Sequence, residues 1–343
     1  MRVHKLCLSA VLFSLSLASF WARADLVVLQ YHHISDATPP STSTSVSLFQ
    51  AQLDMIRELD INVVDLTTAT ERIFSGKQPT GQYVAITFDD AYESVYKQAA
   101  NILRERSLPY TIFVDTAAVG SPGYMTWEQL RELEERDGAG IANHSAGHGH
   151  LVKKPDETET DWKHRITQSL DTAQATLEKQ IETSLPLFAY PYGEFDEALE
   201  AEISKRGWLG FGQQSGAIGP LSGKTRLPRF PMSNAYGQLN GLKDKLYSKA
   251  YPIDASKLPD GIISTNPPTL TLPASDAIQP ARLTCFASGM GRIDFKVSDE
   301  EIIVKAPKPF NSRRFRYNCT HPALDGSYYW LSQQWLDLSQ PED

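Results

Sequence analysis

Long hydrophobic runs are nearly absent from this sequence of 343 residues. Beyond the first 21 residues no apolar stretch approaches the roughly 20 residues that a membrane-spanning helix needs, so the mature chain is expected to have no membrane span. Basic clusters are missing too. There is no arginine-rich run and the formal net charge is −8, which excludes nucleic acid as a partner. No G-x-S-x-G turn occurs, which disfavours serine hydrolase chemistry. Internal repeats and low-complexity tracts are also lacking, and the length suits one large domain and one small one. Cysteine is scarce: the chain has only Cys7, Cys285 and Cys319.

The one apolar run lies at the start. The basic "MRVHK" precedes "LCLSAVLFSLSLASFW", and Ala22 and Ala24 supply small residues at the −3 and −1 positions of a cleavage site. Residues 1–24 read as a secretory signal peptide, with the mature protein periplasmic or secreted. The run is short for an uncleaved anchor. Cleavage removes Cys7, and in an oxidising compartment the remaining pair, Cys285 and Cys319, is expected to form a disulfide. Such a link stabilises by roughly 3–4 kcal/mol in the chain-entropy model. A metal site there would need more ligands than "LTCF" and "NCTH" provide.

From Asp25 to about Ser233, strand-like runs ("LVVLQYHHI", "NVVDL", "YVAITF", "YTIFVDT", "GIANHS", "PLFAYPY") alternate with helical patterns. Two helix starts carry capping-box spacing, Ser47 with Gln50 and Thr126 with Gln129. The βα alternation predicts a parallel sheet with helices outside, and six or seven units could close into a barrel with functional groups at the strands' C-terminal ends. After about residue 255 the pattern changes. A Pro/Ser/Thr-rich stretch leads into "ARLTCFAS", "RIDFKVS", "EIIVKAP", "RRFRYNCT" and "SYYWLSQQW", read as a small all-β sandwich. The expected division is residues 25–254 and 255–343.

Two stretches carry chemistry. "AITFDDAY" ends a strand on Asp89 and Asp90, and "NHSAGHGHL" ends another on His144, His148 and His150. Adjacent carboxylates repel, but a cation bound to one removes the conflict. One carboxylate and two histidines with three residues between them make a hydrolytic metal-ligand set, while the second carboxylate can accept the proton of an attacking water. Each signal alone is weak, since an Asp–Asp pair often marks a solvated turn. Their joint occurrence at strand ends of one array is not.

"TFDD" (Thr87–Asp90), "HSAGH" (His144–His148) and "AYPYG" (Ala189–Gly193) resemble, in order, the first three motifs of the polysaccharide deacetylases, the NodB-like carbohydrate esterase family four. The resemblance covers roughly residues 25–235. It implies a distorted (β/α)7 barrel and divalent-metal removal of N-acetyl or O-acetyl groups from glycans. It also implies Asp89 as general base, Asp90, His144 and His148 as metal ligands, and a groove lined by Pro191 and Tyr192, with the Tyr192 N–H on the oxyanion. Zinc is the expected ion, with cobalt or nickel suited to the same ligands. The expected partner is an acetylated polysaccharide or oligosaccharide, and the chain is expected to act as a monomer.

Two departures stand out. Ala189 occupies the place of the arginine that starts the third motif, and downstream of Tyr192 the only histidine is His321, in the β-rich tail. Arg229 in "RLPRFPMS" is a candidate for the arginine's work. His32 and His33 open the domain in "LQYHHIS", which resembles the exopolysaccharide-processing branch whose acid histidine comes from the N-terminal side. Strand alternation lets one of them face the barrel mouth, and His32 is the expected acid. His150 reads as a loop histidine beside the site, Trp127 and Trp208 as core aromatics. In the tail, Tyr328, Tyr329, Trp330 and Trp335 either fill the sandwich core or stack on sugars. The function expected is N-deacetylation of an N-acetylglucosamine-containing glycan, with an O-acetyl esterase or an inactive glycan-binding protein as alternatives.

Overall fold

The computed structural model describes residues 25–77, 81–182, 185–274, 277–298 and 300–342. The signal peptide expected over residues 1–24 lies outside the described residues. Six parallel strands follow one another in space: β1 (Leu26–Tyr31), β2 (Tyr83–Asp89), β3 (Thr111–Val114), β4 (Gly140–Asn143), β5 (Leu187–Ala189) and β6 (Leu209–Phe211). The sheet curls, and one segment bridges its two ends. Leu227 pairs with Phe211 of β6, and three residues later β7 (Phe230–Pro231) pairs in parallel with Leu29–Gln30 of β1. The distorted barrel expected from the sequence is thus the fold found.

Side-chain alternation splits each strand between two environments. On β2, Val84, Ile86 and Phe88 face the outer core beneath the helices, while Ala85 joins Leu26, Val28, Phe113, Ala142, Leu187, Ala189, Phe211 and Leu227 in an apolar layer inside the barrel. One step further along the same inward parity come Gln30, Thr87, Asp89, His144 and Arg229. Apolar residues fill the floor, and polar ones crown it at the strands' C-terminal ends.

The outer helices are α1 (Val46–Glu58), α2 (Leu66–Phe74), α3 (Ala100–Glu105), α4 (Trp127–Asp137), α5 (Glu159–Ile181) and α6 (Glu197–Lys205). The capping box on Thr126 and Gln129 forms at α4, and Gly138 ends that helix in the left-handed conformation. The one expected on Ser47 does not form. Ser45 caps α1 instead, accepting from the Leu48 N–H at 3.2 Å, so the helix starts earlier and Ser47 falls inside its first turn. Helix α2 had no counterpart in the sequence reading. Its threonines are poor helix formers, but the Asp65 cap and burial of Leu66 and Ile73 hold it.

The C-terminal part is all-β. A five-stranded sheet runs Lys249–Ala250, β10 (Tyr328–Leu336), β9 (Arg314–Pro322), β8 (Thr284–Ala287), Gly291–Ile293, and a three-stranded one joins Thr269–Pro273, Glu301–Lys305 and Phe295–Val297. The two sheets share one core. Cys285 and Cys319 sit opposite each other on β8 and β9 and are joined in a disulfide. "RIDFKVS", expected as one strand, breaks at Asp294 and sends its halves to different sheets. The division expected after residue 254 falls just past Lys249–Ala250, which already pair with Tyr329–Trp330. Three of the four tail aromatics are packing residues: Trp335 lies in the sandwich core with Tyr329 against it, and Trp330 meets Phe230 of the barrel edge-on at 5.1 Å. Leu336 joins the cluster of Phe188 and Tyr190, so β10 seats the β-rich part on the barrel.

Candidate active site and metal centre

Asp90, His144 and His148 converge at the barrel mouth, their ligand atoms all within 4.8 Å of one another. Asp90 Oδ1 lies 3.3 Å from His144 Nε2 and 3.4 Å from His148 Nε2. His144 Nδ1 is 2.8 Å from the Ala189 carbonyl, which only accepts. Nδ1 therefore carries the proton, and the Nε2 lone pair faces the carboxylate. That nitrogen is buried and has no hydrogen-bond partner. A lone pair aimed at a carboxylate oxygen across this gap is what a cation between them would satisfy. Burial alone would push the His144 imidazole down, but Asp90 and Asp89 outweigh it and raise it, so the carboxylates that draw a proton to this ring would draw a cation as well. Burial and neighbouring His144 lower His148 and keep it neutral, as a ligand must be. The three residues fit a divalent cation.

Asp89 is fully buried and held from two sides. Arg229 Nη1 donates to Oδ1 at 2.7 Å and Nη2 to Oδ2 at 2.8 Å, while Gln30 Nε2 donates to Oδ2 at 2.7 Å. Arg229 is buried as well, anchored by its Nε to the Gly212 carbonyl with its guanidinium 5.3 Å from the Phe113 ring centre. Burial pushes the Asp89 carboxyl up, but Arg229, His144 and His32 outweigh it and hold it below the ordinary range. The same contest at Asp90, with His144, His32 and His148 on the winning side, leaves that carboxyl well below it.

The backbone around these groups is strained. Asp90, Ala91, Ser145, His148 and Tyr192 all have left-handed φ values, between 47° and 73°, and they account for most of the non-glycine residues so placed among those described. Left-handed backbone costs an L-residue roughly 1–2 kcal/mol, and such strain persists where packing imposes it. Gly193 follows Tyr192 with φ 69°, and a Cβ there would come within 2.7 Å of Gln213, so only glycine fits.

His32 falls between β1 and the two-residue strand His33–Ile34, where the ladder is interrupted, and it neighbours both Asp89 and Asp90. Because the strand breaks there, both histidines reach the mouth. His33 stacks on Tyr92 at 3.5 Å, with Tyr124 behind Tyr92 at 4.9 Å. The Pro191–Gly193 turn puts the Tyr192 ring 4.6 Å from His148. Trp208 and Trp127 pack in or against the core. His321 sits in the sandwich, accepting from the Gln279 N–H, remote in the fold from this mouth.

Five participants, Gln30, Asp115, Glu194, Arg313 and Arg314, escaped the sequence reading. Gln30 has an inward parity that alternation on β1 could have revealed. Asp115 ends β3 and accepts from the Gly147 N–H at 2.7 Å, which shapes the loop before His148. Glu194, buried, binds His150 Nδ1 at 2.8 Å and is clamped by Arg313 and Arg314 from the β-rich part. Nothing local in the sequence marks that last contact. His150, expected as a loop residue, is buried, and its ring lies flat on Tyr192 at 4.0 Å.

The polysaccharide deacetylase family matches residues 76–209, a span that contains Asp89, Asp90, His144, His148 and Tyr192. The chain carries a polysaccharide deacetylase domain. It is a hydrolase of that type, and the family includes poly-N-acetylglucosamine N-deacetylases. A Bacillus subtilis relative of the domain, YxkH, is 24% identical over 214 residues, covering 61% of this chain and 72% of its own. The poly-β-1,6-N-acetyl-D-glucosamine N-deacetylase of Staphylococcus aureus is 27% identical over 207 residues, covering 56% and 68%. The solved structure of IcaB from Ammonifex degensii superposes on the deacetylase domain with a TM-score of 0.56, covering 64% of this chain and 96% of its own at 24% identity. Arg229 lies beyond the matched span, immediately before the strand that closes the barrel.

Proposed function

We propose that this chain removes N-acetyl groups from an N-acetylglucosamine-containing polysaccharide outside the cytoplasm, using a divalent cation, zinc first among those its ligands suit. The observation that carries the reading is the convergence of Asp90, His144 and His148 beside a buried Asp89 held ionised by Arg229. An exported setting agrees with the Cys285–Cys319 disulfide and with the signal peptide read over residues 1–24. Among the described residues no helix is long and apolar enough to cross a membrane.

Asp90, His144 and His148 hold the cation, which when bound polarises the acyl carbonyl and acidifies the attacking water. Asp89 takes the water's proton as its oxygen adds to the carbonyl carbon. Oδ1 is the oxygen with room to do so, because it accepts one hydrogen bond and Oδ2 accepts two. Arg229 and Gln30 fix the carboxylate plane. The Tyr192 N–H donates to the tetrahedral oxyanion. Collapse breaks the C–N bond, His32 protonates the departing amine, and acetate leaves with the water oxygen.

The test is acetate release from N-acetylglucosamine oligomers, cell-wall and biofilm polymers and acetylated xylan, with and without chelator. Release from the amide substrates, lost with chelator and regained with zinc, is expected. Release from xylan alone would make the chain an O-acetyl esterase, and release from none would leave a glycan-binding protein.

A further inference from the structure

His144 and His148 are oriented by different means. His144 is locked by its Nδ1 bond to the Ala189 carbonyl. Among the described residues His148 has no such bond to a backbone carbonyl. Its ring is held by ring contacts, at 4.9 Å to His144 and 4.6 Å to Tyr192. Tyr192 itself sits on left-handed backbone, so what keeps its ring in place matters. His150 stacks flat on that ring, and the Arg314 guanidinium lies 5.1 Å from its centre.

Both of those residues lead to Glu194. Its Oε2 binds His150 Nδ1 at 2.8 Å and Arg313 Nη2 at 3.2 Å, while its Oε1 accepts from Arg313 Nε at 2.9 Å and Arg314 Nη1 at 3.0 Å. The carboxylate is fully buried, so it depends on these cations for its charge. Arg314 opens β9, and Arg313 precedes it, in the β-rich part rather than the barrel. We propose that Arg313 and Arg314 are positioning residues of the metal centre: through Glu194, His150 and Tyr192, the C-terminal sandwich sets the orientation of His148. The β-rich part thereby completes the site. This rests on the metal-site reading above, and it makes the matched domain alone an incomplete metal binder.

Zn2+ affinity of the full chain, measured by competition with a chromophoric chelator, tests this without any turnover. Arg314→Ala and Glu194→Gln are expected to weaken Zn2+ binding about tenfold and to alter the Co2+ absorption spectrum, as loss of outer-sphere support does. Arg314→Lys, which keeps the charge, is expected to recover part of the affinity. Arg226→Ala is the control. It breaks the Arg226–Glu200 pair, also beside the β-rich part, and should leave Zn2+ affinity unchanged. Arg314 is partly exposed, so its alanine variant carries the test if Glu194→Gln fails to fold. Arg314→Ala binding Zn2+ as tightly as wild type overturns the proposal, and so does a wild type that binds neither ion. A wild type that binds Zn2+ but releases no acetate overturns the proposed function alone.

Discussion

Arg229 and Asp89 are 140 positions apart in the chain, yet they share two near-parallel hydrogen bonds of 2.7 and 2.8 Å with neither side chain exposed to solvent. Removing one member of such a pair leaves a buried charge uncompensated, which costs about 3–5 kcal/mol. Arg229→Ala is therefore expected to lose that much stability in urea unfolding and to lose acetate release. Arg229→Lys keeps a charge but not the fork geometry, and should fall between the two. A stable, active Arg229→Ala protein would show that Asp89 does not need this partner.

The two neighbouring aspartates are expected to separate cleanly by substitution. Asp89→Asn should retain zinc, measured by mass spectrometry, and lower kcat by about 10²–10⁴, the usual scale for loss of a positioned base. Asp90→Asn should lose the zinc itself. Equal zinc loss in both variants would mean that the carboxylates do not divide the work as assigned.

Asp196 gives a pH dependence away from the metal. It caps α6, accepting from the Leu199 N–H at 2.8 Å, and burial, with Asp260 and Glu200 adding to it, pushes its carboxyl up to about 6. The folded protein holds this proton more tightly than the unfolded chain, whose carboxyl has the ordinary value near 3.8. Its effect on stability is thus absent below about pH 4 and becomes a growing penalty as pH rises through 6. Asp196→Asn keeps a capping oxygen without the ionisation. The variant should gain on wild type across that window, by at most about 3 kcal/mol, in urea unfolding at pH 4 and pH 7. A constant difference between the two pH values would contradict the shift.

Legibility in the sequence followed the range of the interaction. The strands that end in Asp89 and His144 were readable because hydrophobic period and polar ends sit side by side in the chain. The Thr126–Gln129 box was readable for the same reason, as it closes within one helical turn. Ser47 misled because Ser45, equally suited to cap, lies two residues away and the packing of α1 decided between them. The split at Asp294 could not be foreseen, because only the pairing partners of each half determine its sheet. Arg229 could be named as a candidate, but its placement depends on a strand pairing with β1 about 200 residues earlier. Arg313 and Arg314 meet Glu194 from about 120 positions further along the chain, and no local pattern encodes that meeting.

The bridging of β6 to β1 by Leu227–Pro231 has a practical corollary for anyone trimming this protein. A fragment cut after Phe211 would keep both histidines and both aspartates, yet its first and last strands would be left with open backbone edges. It would also keep an interior carboxylate deprived of its counter-ion. The shortest piece that keeps both must run at least through Pro231, so the seam that seals the cylinder and the guanidinium that pairs with Asp89 are inherited together or lost together.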